Sequence, residues 1–358
     1  MGYRDVGAPR IVATATATPP YVMGPEETRS YLRQVFGSSY PEFARIDRMV
    51  EQTAIKTRYL TLPPDRLIAE RDLADSNALY LETARKLART AAAETLAEAD
   101  ISPNEIDAVV AVSCTGYAIP SLDVYLVNDL GLRRDARRLP ITELGCGGGT
   151  AGLAVAGDLV RARPGSTVLL VSAELCSNTF QPADHSWENV IAAMLFGDGA
   201  AAAIITDRPR RAGPALMAAR SHLFPDTLDY MGYILRSSGF HLVMSPRVPE
   251  MVRTEYRPLL TRFLAEQELQ QQDLAFYVLH PGGAKILRYY QEYVGVPSEW
   301  LAYSADEMAR HGNMSSASVL FVLDAIMRSR RLQDGDFGLL GSLGPGFCAE
   351  MLLLRWEG

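Results

Sequence analysis

Cysteine is scarce in this 358-residue chain: four thiols, Cys114, Cys146, Cys176 and Cys348, with no Cys-x-x-Cys pair among them. That spacing offers no zinc site and no disulfide framework, and it fits reduced thiols in a cytoplasm. Long apolar runs are missing too. Stretches such as Ala108 to Val112 and Thr167 to Val171 have strand length and fall far short of a membrane span. No cluster of Lys and Arg is dense enough to follow a phosphate backbone, and the formal net charge is −7. Both observations argue against non-specific nucleic-acid binding. The opening Met1-Gly2-Tyr3-Arg4-Asp5 lacks the apolar stretch of a signal peptide. Low-complexity sequence is absent, and the Pro/Arg stretch from Asp207 to Pro214 is the best internal seam. What remains, 48% apolar and 22% charged residues, is the composition of a globular enzyme. Its length fits one large α/β unit or about two domains.

Helix-period and strand-period segments alternate, which predicts an α/β fold with buried, largely parallel strands. Tyr80, Ala84, Leu87 and Ala91 follow helical spacing, and Asp107 to Cys114 then reads as a buried strand closing on Thr115-Gly116. The second half does the same, with a helix over Val252 to Leu269, a strand from Asp273 to His280, and Pro281-Gly282-Gly283. Cys114 precedes Cys146 by 32 positions, and His280 precedes Asn313 by 33. Gly145-Cys146 and Gly312-Asn313 each open a helix with a basic end, the first expected over Thr150 to Arg163. Each helix leads through a glycine turn into a strand, Gly165 to Ser172 and Gly335 to Ser342. The pattern predicts a duplication, one half over residues 1–207 and the other over 208–358. Two equivalent halves would bring both helix starts together near the ends of the central strands.

That convergence would gather Cys146, His280 and Asn313. A thiol at a helix start meets unpaired N–H groups and the positive end of the dipole, which favour thiolate. An isolated buried cysteine is more often structural. Of the five histidines, His185, His222 and His241 read as surface groups, and His311 as a near neighbour of Asn313. His280 alone ends a buried strand and is exposed by a Pro-Gly-Gly turn. With Cys146 it would form a thiolate–imidazolium pair near neutral pH. Asn313, which by itself could be a helix cap, supplies a neutral N–H donor. The three together suit thioester formation and stabilisation of an oxyanion or enolate. A rival reading shares the segment. Gly147-x-Gly149-x-x-Gly152 matches a dinucleotide-binding fingerprint, with Glu174 near the place of a ribose-binding acid. Against it stand a cysteine in the turn and a preceding segment, Arg138 to Leu144, poor in branched residues.

At this point the chain resembles a known family. Gly145 to Leu153, Leu195-Phe196-Gly197-Asp198-Gly199-Ala200, His280-Pro281-Gly282-Gly283, Gly312 to Ala317 and Gly344-Pro345-Gly346-Phe347 look like blocks of type III polyketide synthases, the chalcone synthase-like family. They fall in family order from about Pro9 to Trp356. The resemblance implies a duplicated thiolase fold with a layered αβαβα core and a cytoplasmic homodimer. It also implies condensation of malonyl-CoA onto an acyl-CoA starter, with no cofactor or metal beyond the CoA substrates. By position, Cys146 would carry the acyl chain, while His280 and Asn313 would stabilise the enolate left by decarboxylation.

Phe196 and Phe240, otherwise ordinary core aromatics, match the family's gating phenylalanines. Arg45 and Arg48 match two cations that contact CoA, whereas the third such position is Gln52. Gly344, Pro345 and Gly346 fall in a loop of the cavity wall, altered here to Ser342-Leu343-Gly344-Pro345-Gly346. Thr115 and Cys176 stand where long-chain alkylpyrone synthases have small residues, and Ile119 where a neighbouring subunit reaches into the cavity. Aliphatic residues in place of aromatics imply an apolar pocket and a medium- or long-chain starter, giving an alkylpyrone or alkylresorcinol. The alternatives are a carrier-protein-dependent ketoacyl synthase, a small-starter or malonyl-primed polyketide synthase, and a non-catalytic scaffold of the same fold.

Overall fold

Ala108–Val112 and Asp198–Thr206 are buried along their whole length because helices cover both of their faces. A computed structural model describes residues 7–358 apart from 41–42, 70 and 209–210. The opening pentapeptide and part of the Asp207 to Pro214 seam therefore lie outside the described residues. Thirteen strands occur among those described: β1 (Arg10–Ala17), β2 (Tyr21–Met23), β3 (Arg58–Leu60), β4 (Ala108–Val112), β5 (Arg137–Ile141), β6 (Thr167–Leu175), β7 (Asp198–Thr206), β8 (Gly213–Leu223), β9 (Met231–Arg236), β10 (Gly239–Met244), β11 (Leu274–Leu279), β12 (Phe337–Gly344) and β13 (Cys348–Glu357).

Nine of them form one sheet in the order β11-β12-β13-β8-β1-β7-β6-β4-β5. The order contains the duplication. In the N-terminal half β4 runs parallel to β6, β6 antiparallel to β7, and β7 antiparallel to β1. In the C-terminal half β11 runs parallel to β12, β12 antiparallel to β13, and β13 antiparallel to β8. The two sets join where Arg10 of β1 pairs with Ala215 of β8, beside the Leu216 N–H donating to Pro9 O at 2.7 Å. β5 has no counterpart and forms an exposed edge. Most pairings are thus antiparallel, which corrects the expectation of a largely parallel sheet. An apolar run buried on both faces reads the same in either direction.

Helix Leu73–Ala99 buries Tyr80, Ala84, Leu87, Ala88 and Ala91 against β1, β6 and β7. Helices Gly148–Ala162 and Ser318–Arg328 touch strands of both halves and form the middle layer. On the far side, Tyr256 and Phe263 pack over β12 and β8. They lie on a helical stretch from Val248 to Ala265 that passes through a wide turn at Val252–Tyr256. This is the αβαβα layering of a thiolase fold. Among the described residues no helix is long and apolar enough to cross a membrane.

Candidate active site

Cys146 lies in the tight turn Gly145–Gly147 that opens helix Gly148–Ala162. Asn313 occupies the matching place, just ahead of the turn Ser315–Ala317 and helix Ser318–Arg328. The two helix starts touch. A Cβ on Gly149 would stand 2.2 Å from the Ser316 carbonyl oxygen, so only glycine allows that approach. The glycines of the apparent dinucleotide fingerprint therefore serve helix packing. Gly312, at φ +71°, turns the chain so that the Asn313 N–H donates to Leu195 O (2.9 Å) and its carbonyl accepts from Gly197 N–H (3.0 Å). His280 follows β11, its N–H donating to Gly341 O at 2.9 Å.

These elements bring Cys146, His280 and Asn313 to one cavity of about 680 Å³. The three are 8%, 4% and 2% exposed, so the chemistry is nearly dry. Asn313 Oδ1 accepts from the Ser315 N–H at 2.8 Å. Among the described residues neither ring nitrogen of His280 has a hydrogen-bond partner. Burial pushes the Cys146 thiol up to about 11, partly offset by the Ser315 and Asn313 side chains, and the His280 imidazole down to about 4. Both shifts favour the neutral thiol and neutral imidazole in the free site. They weigh against the expected ion pair, since loss of water opposes the helix start. In the free enzyme, alkylation of Cys146 by iodoacetamide is expected to quicken about tenfold per pH unit between roughly pH 7 and 9. A rate already level by pH 7 would contradict the neutral pair.

Glu174 is not a surface acid awaiting a ribose. It is fully buried and accepts from Cys114 N–H (3.0 Å), Thr115 Oγ1 (2.8 Å) and the Ser316 hydroxyl. Cys114 shares the catalytic cavity, its sulfur 3.4 Å from Ser315 Oγ. The sequence reading did not place Cys114 or Ser315 in the site and gave Glu174 only as a rival ribose-binding acid. The signal was available, because the duplication sets Cys114 opposite His280.

Phe196, Pro345 and Arg45 also line the cavity. Gly344 packs behind the Cys146 turn, where an added Cβ would lie 2.8 Å from Leu144 O, and Gly346 continues the same loop. Phe240 does not reach the cavity. Its ring sits 5.7 Å from that of Tyr233, which does, and it faces a neighbouring pocket with Tyr117 and Leu235. Thr115 and Cys176 face voids of only about 10 and 20 Å³. Arg48 is exposed and does not line the cavity. Ile119 is 82% exposed. At the mouth, Arg45 lies over Trp187 at 4.5 Å beside Gln52, and Lys285, which the sequence reading overlooked, also lines the cavity. His311 pairs with Glu307 at 3.0 Å and stacks on Tyr59. Among the described residues no group of three or more His, Cys, Asp or Glu could hold a metal.

A buried cysteine, histidine and amide at the junction of two thiolase-like halves define a thioester-handling acyltransferase. Residues 1–209 match the N-terminal domain of chalcone and stilbene synthases, and residues 215–356 match the C-terminal domain. The chain belongs to this family, the type III polyketide synthases, whose members use CoA thioesters without a further cofactor. It is 37% identical over 350 residues to the 1,3,6,8-tetrahydroxynaphthalene synthase of Streptomyces peucetius subsp. caesius, covering 97% of this chain and 93% of the relative. The crystal structure of the Streptomyces coelicolor enzyme of that name superposes with a TM-score of 0.93 at 31% identity, covering 98% of this chain and 99% of the other. Germicidin synthase from Streptomyces coelicolor gives 0.89 at 28% identity, covering 98% and 100%.

Proposed function

We propose that this enzyme primes itself with an aliphatic acyl-CoA and extends the acyl group with malonyl-CoA, closing the product to an alkylpyrone or alkylresorcinol. In this reading Cys146 sulfur attacks the starter carbonyl, its proton passes to His280, and the CoA sulfur leaves with a proton. His280 and the Asn313 amide then hydrogen-bond the thioester oxygen of malonyl-CoA. Carbon dioxide departs, and the electron pair of the broken bond becomes an enolate held by those donors. The enolate carbon attacks the acyl-Cys146 carbonyl, a carbon–carbon bond forms, and the thiol is released for the next cycle.

The observation that carries the aliphatic starter is the wall of the cavity that Cys146, His280 and Asn313 share, lined also by Ile191, Met194, Met231, Leu242, Met244 and Ile286. Methionines adapt to flexible chains. The small voids at Thr115 and Cys176 favour a chain folded within the cavity over one threaded past them. A starter panel with malonyl-CoA, read by product mass, tests this. Each added methylene contributes about 0.8–1 kcal/mol until the cavity is full, so kcat/KM should climb about 15- to 30-fold per carbon pair and then fall. Turnover of malonyl-CoA alone, or of aromatic starters only, overturns it. The likeness to the tetrahydroxynaphthalene synthases favours a second reading, priming by malonyl-CoA, and the same panel separates the two.

Several assignments belong to this proposal. The halves divide at 207/208, Phe196 gates the route from CoA to the cavity while the matching Phe240 acts only by backing Tyr233, and Gly344, Pro345 and Gly346 shape its wall. The enzyme is a cytoplasmic homodimer in which Ile119 meets the partner's cavity. Exposed Ile119 and Tyr117, together with the free β5 edge, support that assembly. Arg45, Arg48 and Lys285 receive CoA phosphates, Lys285 compensating for Gln52. Lys285→Ala is expected to raise KM for CoA thioesters about tenfold with kcat kept, since a charge-assisted contact contributes about 1.5 kcal/mol. Pantetheine thioesters, which lack the nucleotide phosphates, should be unaffected. An equal rise for both would remove Lys285 from phosphate binding.

A further inference from the structure

Arg58, on β3, is a buried cation outside the catalytic cavity, and it is only 3% exposed. Its Nη1 donates to Ala193 O (2.7 Å) and Phe196 O (2.8 Å), and its Nη2 to Thr28 Oγ1 (3.0 Å). Nη2 also lies 2.9 Å from Met23 Sδ. No carboxylate lies within ion-pair distance among the described residues. Asp198, whose field it feels, is occupied instead by the N–H and hydroxyl groups of Thr61 and Ser177. A buried charge held only by neutral groups is costly, so its place in the fold needs a reason.

The reason lies in what hangs on the segment it grips. Leu195 O and Gly197 N–H, on either side of Phe196, are the two backbone groups that hold Asn313. Next to Asn313, Gly312 approaches the Arg58 stem so closely that a Cβ there would stand 3.1 Å from Arg58 Cγ and Cδ. One side chain thus fixes the Phe196 carbonyl and the ground beneath the catalytic amide. Cys146 depends on a different anchor, the Leu144–Gly147 turn, closed by Gly147 N–H to Leu144 O at 2.9 Å.

We propose that Arg58 is a positioning residue that sets Asn313 and Phe196 for enolate formation while leaving the nucleophile independent of it. The inference rests on the role given to Asn313 above. Two reactions separate the effects: release of carbon dioxide from malonyl-CoA without starter, and single-turnover transfer of a starter acyl group to Cys146. Both are normalised to thiols titrated by iodoacetamide. In Arg58→Met, decarboxylation kcat is expected to fall roughly 10- to 100-fold, the cost of misplacing a catalytic group by about 1 Å. KM for malonyl-CoA and the loading rate should stay within about twofold. Arg58→Lys keeps the charge but loses the two-carbonyl fork, and should show the same split in milder form. If the Met variant does not fold, the Lys variant decides. Equal losses in both reactions, or no loss of decarboxylation, overturn the proposal. Asn313→Ala serves as the control. If it decarboxylates normally, the catalytic reading has failed; if it does not while both Arg58 variants do, only this inference has.

Discussion

Cys146→Ala is expected to take up no acyl group and to lower polyketide output by at least about a thousandfold. In the proposed cycle the sulfur holds the growing chain while the enolate forms, and neither Cys114 nor Cys348, whose thiols are raised further, is expected to replace it. Burial pushes both of their thiols upward, Cys348 to about 12. Decarboxylation should survive, because the electron sink is the malonyl thioester oxygen between His280 and Asn313. A glutamine at position 146 fills the site of an acylated thiol and should preserve that partial reaction better than alanine. Product mass and carbon dioxide release, measured on one preparation, separate the two activities. Full polyketide output from the alanine variant would refute the assignment.

The mirror-image result is expected at Asn313. Removing its amide in Asn313→Ala deletes a preorganised donor in a nearly dry cavity, where such a donor contributes about 10²- to 10³-fold in kcat. Carbon dioxide release should fall by that factor, whereas transfer of a starter from CoA to Cys146 should slow far less. His280→Ala should impair both reactions, since the ring accepts the thiol proton and donates to the enolate oxygen. A loading defect in Asn313→Ala as large as its decarboxylation defect would place the amide in nucleophile activation instead.

Strands 108–112, 167–175 and 274–279 were legible because apolar runs bounded by glycine have few other uses, and the duplication because offsets between functional residues outlast drift in the apolar positions. Convergence of Cys146, His280 and Asn313 followed from that symmetry. Strand direction was not legible, since the central runs of β7 (199–205) and β13 (351–354) are as apolar as their parallel neighbours. The charge state of the site depends on burial from two halves at once, which no local spacing encodes. The same holds for Phe240, whose separation from the cavity by Tyr233 is a matter of one side chain in a hairpin. Lys285 was hidden because it shares a cavity with Gln52 only in the fold, the two lying more than two hundred residues apart in sequence.

The central claim is that Cys146 carries the acyl chain in a cavity shared with His280 and Asn313. Its most direct test is mass spectrometry of the intact enzyme and its peptides after brief exposure to a starter acyl-CoA without malonyl-CoA. The account predicts one acyl group per chain on the peptide containing Cys146, discharged on addition of malonyl-CoA. An unmodified enzyme that still makes product, or an acyl group on Cys114 with Cys146 free, would contradict it.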